Sequence, residues 1–226
     1  MRKLLGLLLF VAACDSATAP PDTYSYRVIL PDGYQQNATS RHPLIFALHG
    51  AGGINDLAPV FDGYASEDAQ FGFIVVMPNA EEHGWVTTSL RGTLDDVVAK
   101  YRVDEQRMYV TGMSAGAYAG WRLAASRPTD FAAIVLTAGG GLDDFACGLK
   151  NVPTWLVHNQ GDPIVPTSES IELYDAIVGC GGLAKLTVNS PSAGLHPHDA
   201  WTPTYSNRAF YDWLLRHRRG VPGTVN

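Results

Sequence analysis

Gly112-x-Ser114-x-Gly116 stands directly behind a short apolar run, Arg107-Met-Tyr-Val-Thr111, and ahead of a helix-forming stretch. Glycine on either side of a serine lets a chain turn sharply from strand into helix. The serine hydroxyl is thereby lifted clear of both elements, as in a nucleophile elbow. The same turn aims the N–H groups of the helix start at whatever the hydroxyl attacks. The chemistry implied is acyl transfer through a covalent serine intermediate. That chemistry needs three further parts: a base, an acid to orient the base, and donors for the oxyanion.

The base for a serine hydroxyl is most often histidine. Of the seven histidines, those late in the chain are His158, His196, His198 and His217. His198, in Leu195-His-Pro-His-Asp-Ala-Trp201, lies in a Gly- and Pro-bounded loop between an expected strand at 183–188 and the last helix. It is the candidate base, with His196 as the rival two residues earlier. The acid belongs between serine and histidine, at the end of a strand. Asp162 follows Leu156-Val-His-Asn-Gln-Gly161 and opens the rigid turn Asp162-Pro-Ile-Val-Pro166; Asp143 and Asp144 are the alternatives. Leu48-His-Gly-Ala-Gly-Gly53 follows another apolar strand and supplies a loop whose backbone can approach a ligand closely. The candidate oxyanion donors are the N–H groups of Ala51 or Gly52 together with that of Ala115, and His49 is expected to have a structural, hydrogen-bonding role. Trp85 and Trp201 are candidates for a substrate pocket, with ordinary packing as the competing reading. The glycine-rich segments lack a phosphate-loop lysine and the six-residue dinucleotide fingerprint, and His196 and His198 have no companion ligands for zinc. The site is expected to work without cofactor or metal.

These residues must be held by elements that alternate. Residues 24–30 read as an opening antiparallel strand. Residues 43–49, 73–77, 107–111, 132–136 and 152–157 are nearly continuous apolar runs, the mark of strands covered on both faces. Helix-length segments fall at 56–70, 90–101, 115–126, 168–178 and 206–217. The alternation predicts an α/β fold, a mostly parallel sheet with helices on both faces, and leaves no room for a large lid domain.

With 226 residues, 46% of them hydrophobic, the chain is large enough for one catalytic domain, expected at 23–226. A net charge of -6 and the lack of a long basic run argue against a nucleic-acid partner. The basic cluster Arg216-His-Arg-Arg219 reads as cations completing a C-terminal helix. Residues 1–13 read as a signal peptide: Met1-Arg-Lys, then ten residues that are apolar apart from glycine. Val11-Ala-Ala-Cys14 resembles the bacterial lipobox, which would make Cys14 the lipidated N-terminus and a membrane anchor, with 14–22 as a tether. An ordinary cleavage after Ala17-Thr-Ala19 is the alternative. Cys147 and Cys180 then remain as an even pair in an exported protein, either bridged or both free.

Leu48-His-Gly-Ala-Gly52, Tyr101-Arg-Val-Asp104, Arg107-Met-Tyr-Val-Thr-Gly-Met-Ser114, His158-Asn-Gln-Gly-Asp162-Pro-Ile-Val-Pro166 and His198-Asp-Ala-Trp201 together resemble a group of bacterial α/β-hydrolase esterases. The group holds feruloyl esterases, polyhydroxybutyrate depolymerases and secreted peptidase-like hydrolases. The resemblance spans about 24–218. It implies the α/β-hydrolase fold, small or polymeric ester substrates, and Ser114, Asp162 and His198 as the catalytic residues. The chain departs from the pattern at Ala117 and in the Pro197-containing loop. A small-peptide or amide hydrolase and a disabled hydrolase serving as a surface binding protein are the other functions compatible with these motifs. The acyl group, the alcohol and the oligomeric state are not legible in the residues.

Overall fold

Successive side chains on a strand point to opposite faces of its sheet, so a strand apolar at every position needs a cover on both sides. A computed structural model describes residues 22–35, 38–67, 72–80, 84–221, 223 and 225 and shows those two covers. The expected signal peptide, Cys14 and nearly all of the tether lie outside the described residues.

The elements run β1 (Ser25–Ile29), β2 (His42–Leu48), α1 (Ile54–Glu67), β3 (Ile74–Asn79), α2 (Thr87–Lys100), β4 (Val103–Met113), α3 (Ala115–Ser126), β5 (Ala133–Thr137), β6 (Thr154–Asn159), α4 (Ser168–Gly179), β7 (Ala184–Asn189), α5 (Trp201–Tyr205) and α6 (Arg208–Leu215). Along β2, Leu44, Phe46 and Leu48 enter one core with Leu90, Leu94 and Val97 of α2, Leu123 of α3, and Leu173 and Ile177 of α4. Ile45 and Ala47 enter the other, with Leu57 and Phe61 of α1, Tyr205 of α5, and Phe210 and Trp213 of α6. The sheet is therefore a partition between two cores, with α2, α3 and α4 on one face and α1, α5 and α6 on the other.

The seven strands lie in the order β1-β3-β2-β4-β5-β6-β7. The β1 strand pairs antiparallel with β3 and every other pairing is parallel. From β2 the chain moves outward to β3, then returns past β2 to β4 and continues the other way. In an open sheet of this kind, the crevice beyond the carboxyl ends of the two strands at the reversal is where ligands bind. The register sets Leu48 of β2 against Gly112 of β4. The loop that follows Leu48 and the turn that follows Gly112 are thus neighbours at that crevice.

Two elements differ from their sequence patterns. The β4 strand begins at Val103, four residues before the apolar run, because Asp104, Glu105 and Gln106 keep extended backbone without sheet-core side chains. The expected final helix at 206–217 is the shorter α6, and a separate short helix, α5, precedes it. Asn207 lies between them and caps α6, its side-chain oxygen accepting from the Ala209 N–H at 2.9 Å. Cys147, in a 3-10 turn (Cys147–Leu149), is joined to Cys180 at the end of α4, their Cα atoms 5.1 Å apart.

Candidate active site

Ser114 follows the last residue of β4 and precedes the first of α3. Its backbone has φ 52° and ψ -121°, a left-handed conformation that an L-residue adopts only under strain of about 1–3 kcal/mol. The surroundings hold it there: the Ser114 N–H donates to the Thr137 carbonyl at 2.9 Å, and the Ala117 N–H to the Ser114 carbonyl at 2.9 Å. The flanking glycines are required by contact. A Cβ on Gly112 would run into the Gly116 carbonyl, and one on Gly116 into the carbonyls of Leu48 and His49.

His198 reaches the serine from the loop after β7. Its Nε2 lies 3.0 Å from Ser114 Oγ and its Nδ1 2.6 Å from Asp162 Oδ2. An ionised carboxylate can only accept, so the proton of a neutral His198 sits on Nδ1, and Nε2 is left to accept from the serine. Asp162 stands just beyond the end of β6. Its other oxygen, Oδ1, accepts the N–H groups of Ile164 at 2.8 Å and Val165 at 3.1 Å, the Asx geometry its Asp-Pro turn promised. Burial pushes the Asp162 carboxyl up. The hydrogen bonds from His198, Ile164 and Val165 outweigh burial and hold it below the usual carboxylate range.

The structure separates the sequence alternatives. His196 is exposed; its ring stacks 6.4 Å from that of His198, and among the described residues it has no hydrogen bond to Ser114 or Asp162. Asp143 and Asp144 lie exposed in a 3-10 turn (Asp143–Phe145). The His198 loop is positioned from β6: the Asn159 amide donates to the carbonyls of Pro197 at 3.1 Å and Asp199 at 3.0 Å. The Asp199 carboxylate accepts from the N–H groups of Leu195 at 2.9 Å and Thr202 at 2.8 Å. Trp201 packs edge-on to His198, ring centres 5.2 Å apart, and belongs to the core beneath it.

His49 shapes the facing loop. Its Nε2 accepts the Ala80 N–H at 3.1 Å, which leaves Nδ1–H to donate to the Gly50 carbonyl at 2.7 Å, and the Trp85 indole N–H donates to the His49 carbonyl at 3.1 Å. The loop lies against the elbow: a Cβ on Gly50 would stand 3.3 Å from Ser114 Cβ. The N–H groups of Ala51, Gly52 and Ala115 are taken by no other group among the described residues. Ala51 and Ala115 line a pocket of about 480 Å³, with Trp85, Tyr118 and Arg122 among its other walls. Of the two tryptophans, Trp85 forms a pocket wall and Trp201 supports the histidine. No group of three or more metal-ligating side chains occurs among the described residues.

Sequence reasoning gave no role to His158, which is fully buried behind the acid. Its Nε2 lies 3.2 Å from Asp162 Oδ2 and 3.0 Å from the Val165 carbonyl, and its Nδ1 2.7 Å from the Ser170 hydroxyl. Burial is the largest influence on this imidazole and holds it below its usual pKa, against the pull of Val165 and Asp162. A histidine four residues before a strand-end aspartate was the available signal.

The fold recurs in known proteins. The chain superposes on a thermostable esterase of known structure with a TM-score of 0.71 and 26% identity, over 86% of this chain and 59% of that one. The chain has the α/β-hydrolase fold. Residues 82–178 match the family model described as esterase PHB depolymerase. It is 28% identical over 180 residues to a probable feruloyl esterase C of Aspergillus niger, covering 75% of this chain and 66% of the relative. It is 30% identical over 131 residues to poly(3-hydroxyalkanoate) depolymerase C of Paucimonas lemoignei, covering 49% of this chain and 30% of that protein. The chain is thus similar to the group its motifs resemble, and it spans about two thirds of the length of the feruloyl esterase it matches.

Proposed function

We propose that the protein is a serine hydrolase of carboxylic esters. The observation that carries this reading is the Ser114–His198–Asp162 series, hydrogen-bonded at 3.0 and 2.6 Å beside three untaken backbone N–H groups. Ser114 Oγ attacks the ester carbonyl while His198 Nε2 takes its proton. The tetrahedral oxyanion is held by the N–H groups of Ala115 and of Ala51 or Gly52. His198 returns the proton to the departing alcohol and an acyl-Ser114 remains. Water, deprotonated by His198, attacks this acyl group and releases the acid. Asp162 keeps the imidazole in the correct tautomer and balances the positive charge it gains. The similarity to feruloyl esterases and a polyhydroxyalkanoate depolymerase favours feruloyl, acetyl or hydroxyalkanoate-type esters over other acyl compounds.

The test is turnover by the purified protein of short p-nitrophenyl esters, methyl ferulate and peptide amides, beside Ser114→Ala. Ester cleavage that disappears in the variant is expected. Cleavage of amides in preference to esters would transfer the protein to the peptidases, and a wild type inert on all three would overturn the reading. Export and lipidation at Cys14 belong to the same proposal, supported by the basic start, the apolar run and Val11-Ala-Ala-Cys14. Radiolabelled palmitate is expected to enter the wild type but not Cys14→Ser; equal labelling of both would refute the anchor.

A further inference from the structure

The pocket beside the oxyanion donors holds a cation that ester hydrolysis does not use. Ala115, Tyr118 and Arg122 follow one another at spacings of three and four residues, so they share one face of α3, and that face is a wall of the pocket of about 480 Å³. Helical side chains lean toward the helix N-terminus, which inclines Arg122 toward the elbow. Seven residues at 1.5 Å rise place its Cα about 10 Å along the helix from Ala115.

Arg122 is half-buried, and among the described residues it makes no hydrogen bond or ion pair. Arg102, Arg107, Arg127 and Arg218 all have partners. No carboxylate lines the pocket among the described residues. The nearby Glu169 is occupied, accepting from the Tyr118 hydroxyl at 3.0 Å. His49 cannot answer an anion, because both of its ring nitrogens are committed to backbone groups. A guanidinium set in a concave wall without a partner is a fork of donors shaped for a planar oxyanion.

We propose that Arg122 receives a carboxylate on the substrate. The substrate class is then an ester whose far end is ionised, with the carboxylate about 6–10 Å from the scissile carbonyl by the helix geometry. The half-esters of medium-chain dicarboxylic acids are the simplest members. The inference rests on the serine-hydrolase reading and names the substrate for the same site.

Methanol release from monomethyl suberate and from dimethyl suberate measures it, as the ratio of the two kcat/KM values. The wild type is expected to favour the half-ester by about tenfold, the range of one charge-assisted hydrogen-bonded pair, and to lose preference as salt is added. Arg122→Gln is expected to lower the ratio about tenfold and Arg122→Lys to restore part of it. A ratio equal in wild type and Arg122→Gln overturns the proposal, whether the two rates stay put or fall together. A protein that a fluorophosphonate labels but that cleaves neither ester also overturns it while leaving the serine chemistry standing. No labelling and no turnover would refute both.

Discussion

Asp162 receives more donors than any other group in the site, and its role is to turn backbone geometry into a fixed imidazole. One oxygen is held by the turn's own N–H groups and the other faces two histidines, His198 in front and His158 behind. Only the first reaches the serine, so the two late histidines of the loop must behave differently on substitution. His198→Ala is expected to lose nearly all turnover and His196→Ala to keep most of it, measured as kcat on a p-nitrophenyl ester; the reverse result would move the base to His196. His158 touches no reacting atom and acts by holding Asp162. His158→Leu is expected to lower kcat about 10- to 100-fold, the worth of a hydrogen bond to a charged group, with KM changed far less. The serine and the acid were legible because each ends a strand at a glycine or proline signal. The choice between His196 and His198 was not. The geometry that brings His198 rather than His196 to Ser114 depends on Asn159, which holds the loop from β6, and on Asp199, which folds the loop back on itself.

At the scale of elements, the site exists because β2 and β4 are neighbours at the point where strand order reverses. The apolar runs predicted five of the seven strands and the serine turn, since full burial writes itself as uninterrupted hydrophobicity; the runs at 24–30 and 183–188 supplied the two edge strands. The polar start of β4 and the Asn207 break between α5 and α6 escaped, because edge extension and capping leave short, local marks that a helix- or strand-length window averages away. Strand order was also beyond reach, being a matter of pairing across distance. The Cys147–Cys180 bond clips the segment after β5 to the end of α4, across a separation of 33 residues. Cys147→Ser with Cys180→Ser is expected to cost about 3–4 kcal/mol of stability by loop-closure entropy, read from urea unfolding. A loss below 1 kcal/mol would show that the clip does not constrain the unfolded chain.

Over the whole molecule, stability is tied to pH through the core formed by α1, α5 and α6, which sits against His217. Its imidazole is buried, and neither ring nitrogen has a hydrogen-bond partner among the described residues. Burial, with help from Arg216, pushes His217 down to about 4. The folded state therefore keeps it neutral while the unfolded chain takes up a proton near the ordinary value of 6.5. Stability is complete above that value and falls as the pH drops toward 4, by on the order of 2 kcal/mol from this residue. His217→Leu is expected to flatten this acid slope in urea unfolding at pH 7 and pH 4.5, and an unchanged slope would assign acid sensitivity elsewhere. The central claim concerns one oxygen atom of this molecule, and mass spectrometry after treatment with a fluorophosphonate tests it most directly. A single adduct located on Ser114, absent from folded Ser114→Ala, is the predicted result. An unmodified wild type, or an adduct that persists in the variant, would contradict it.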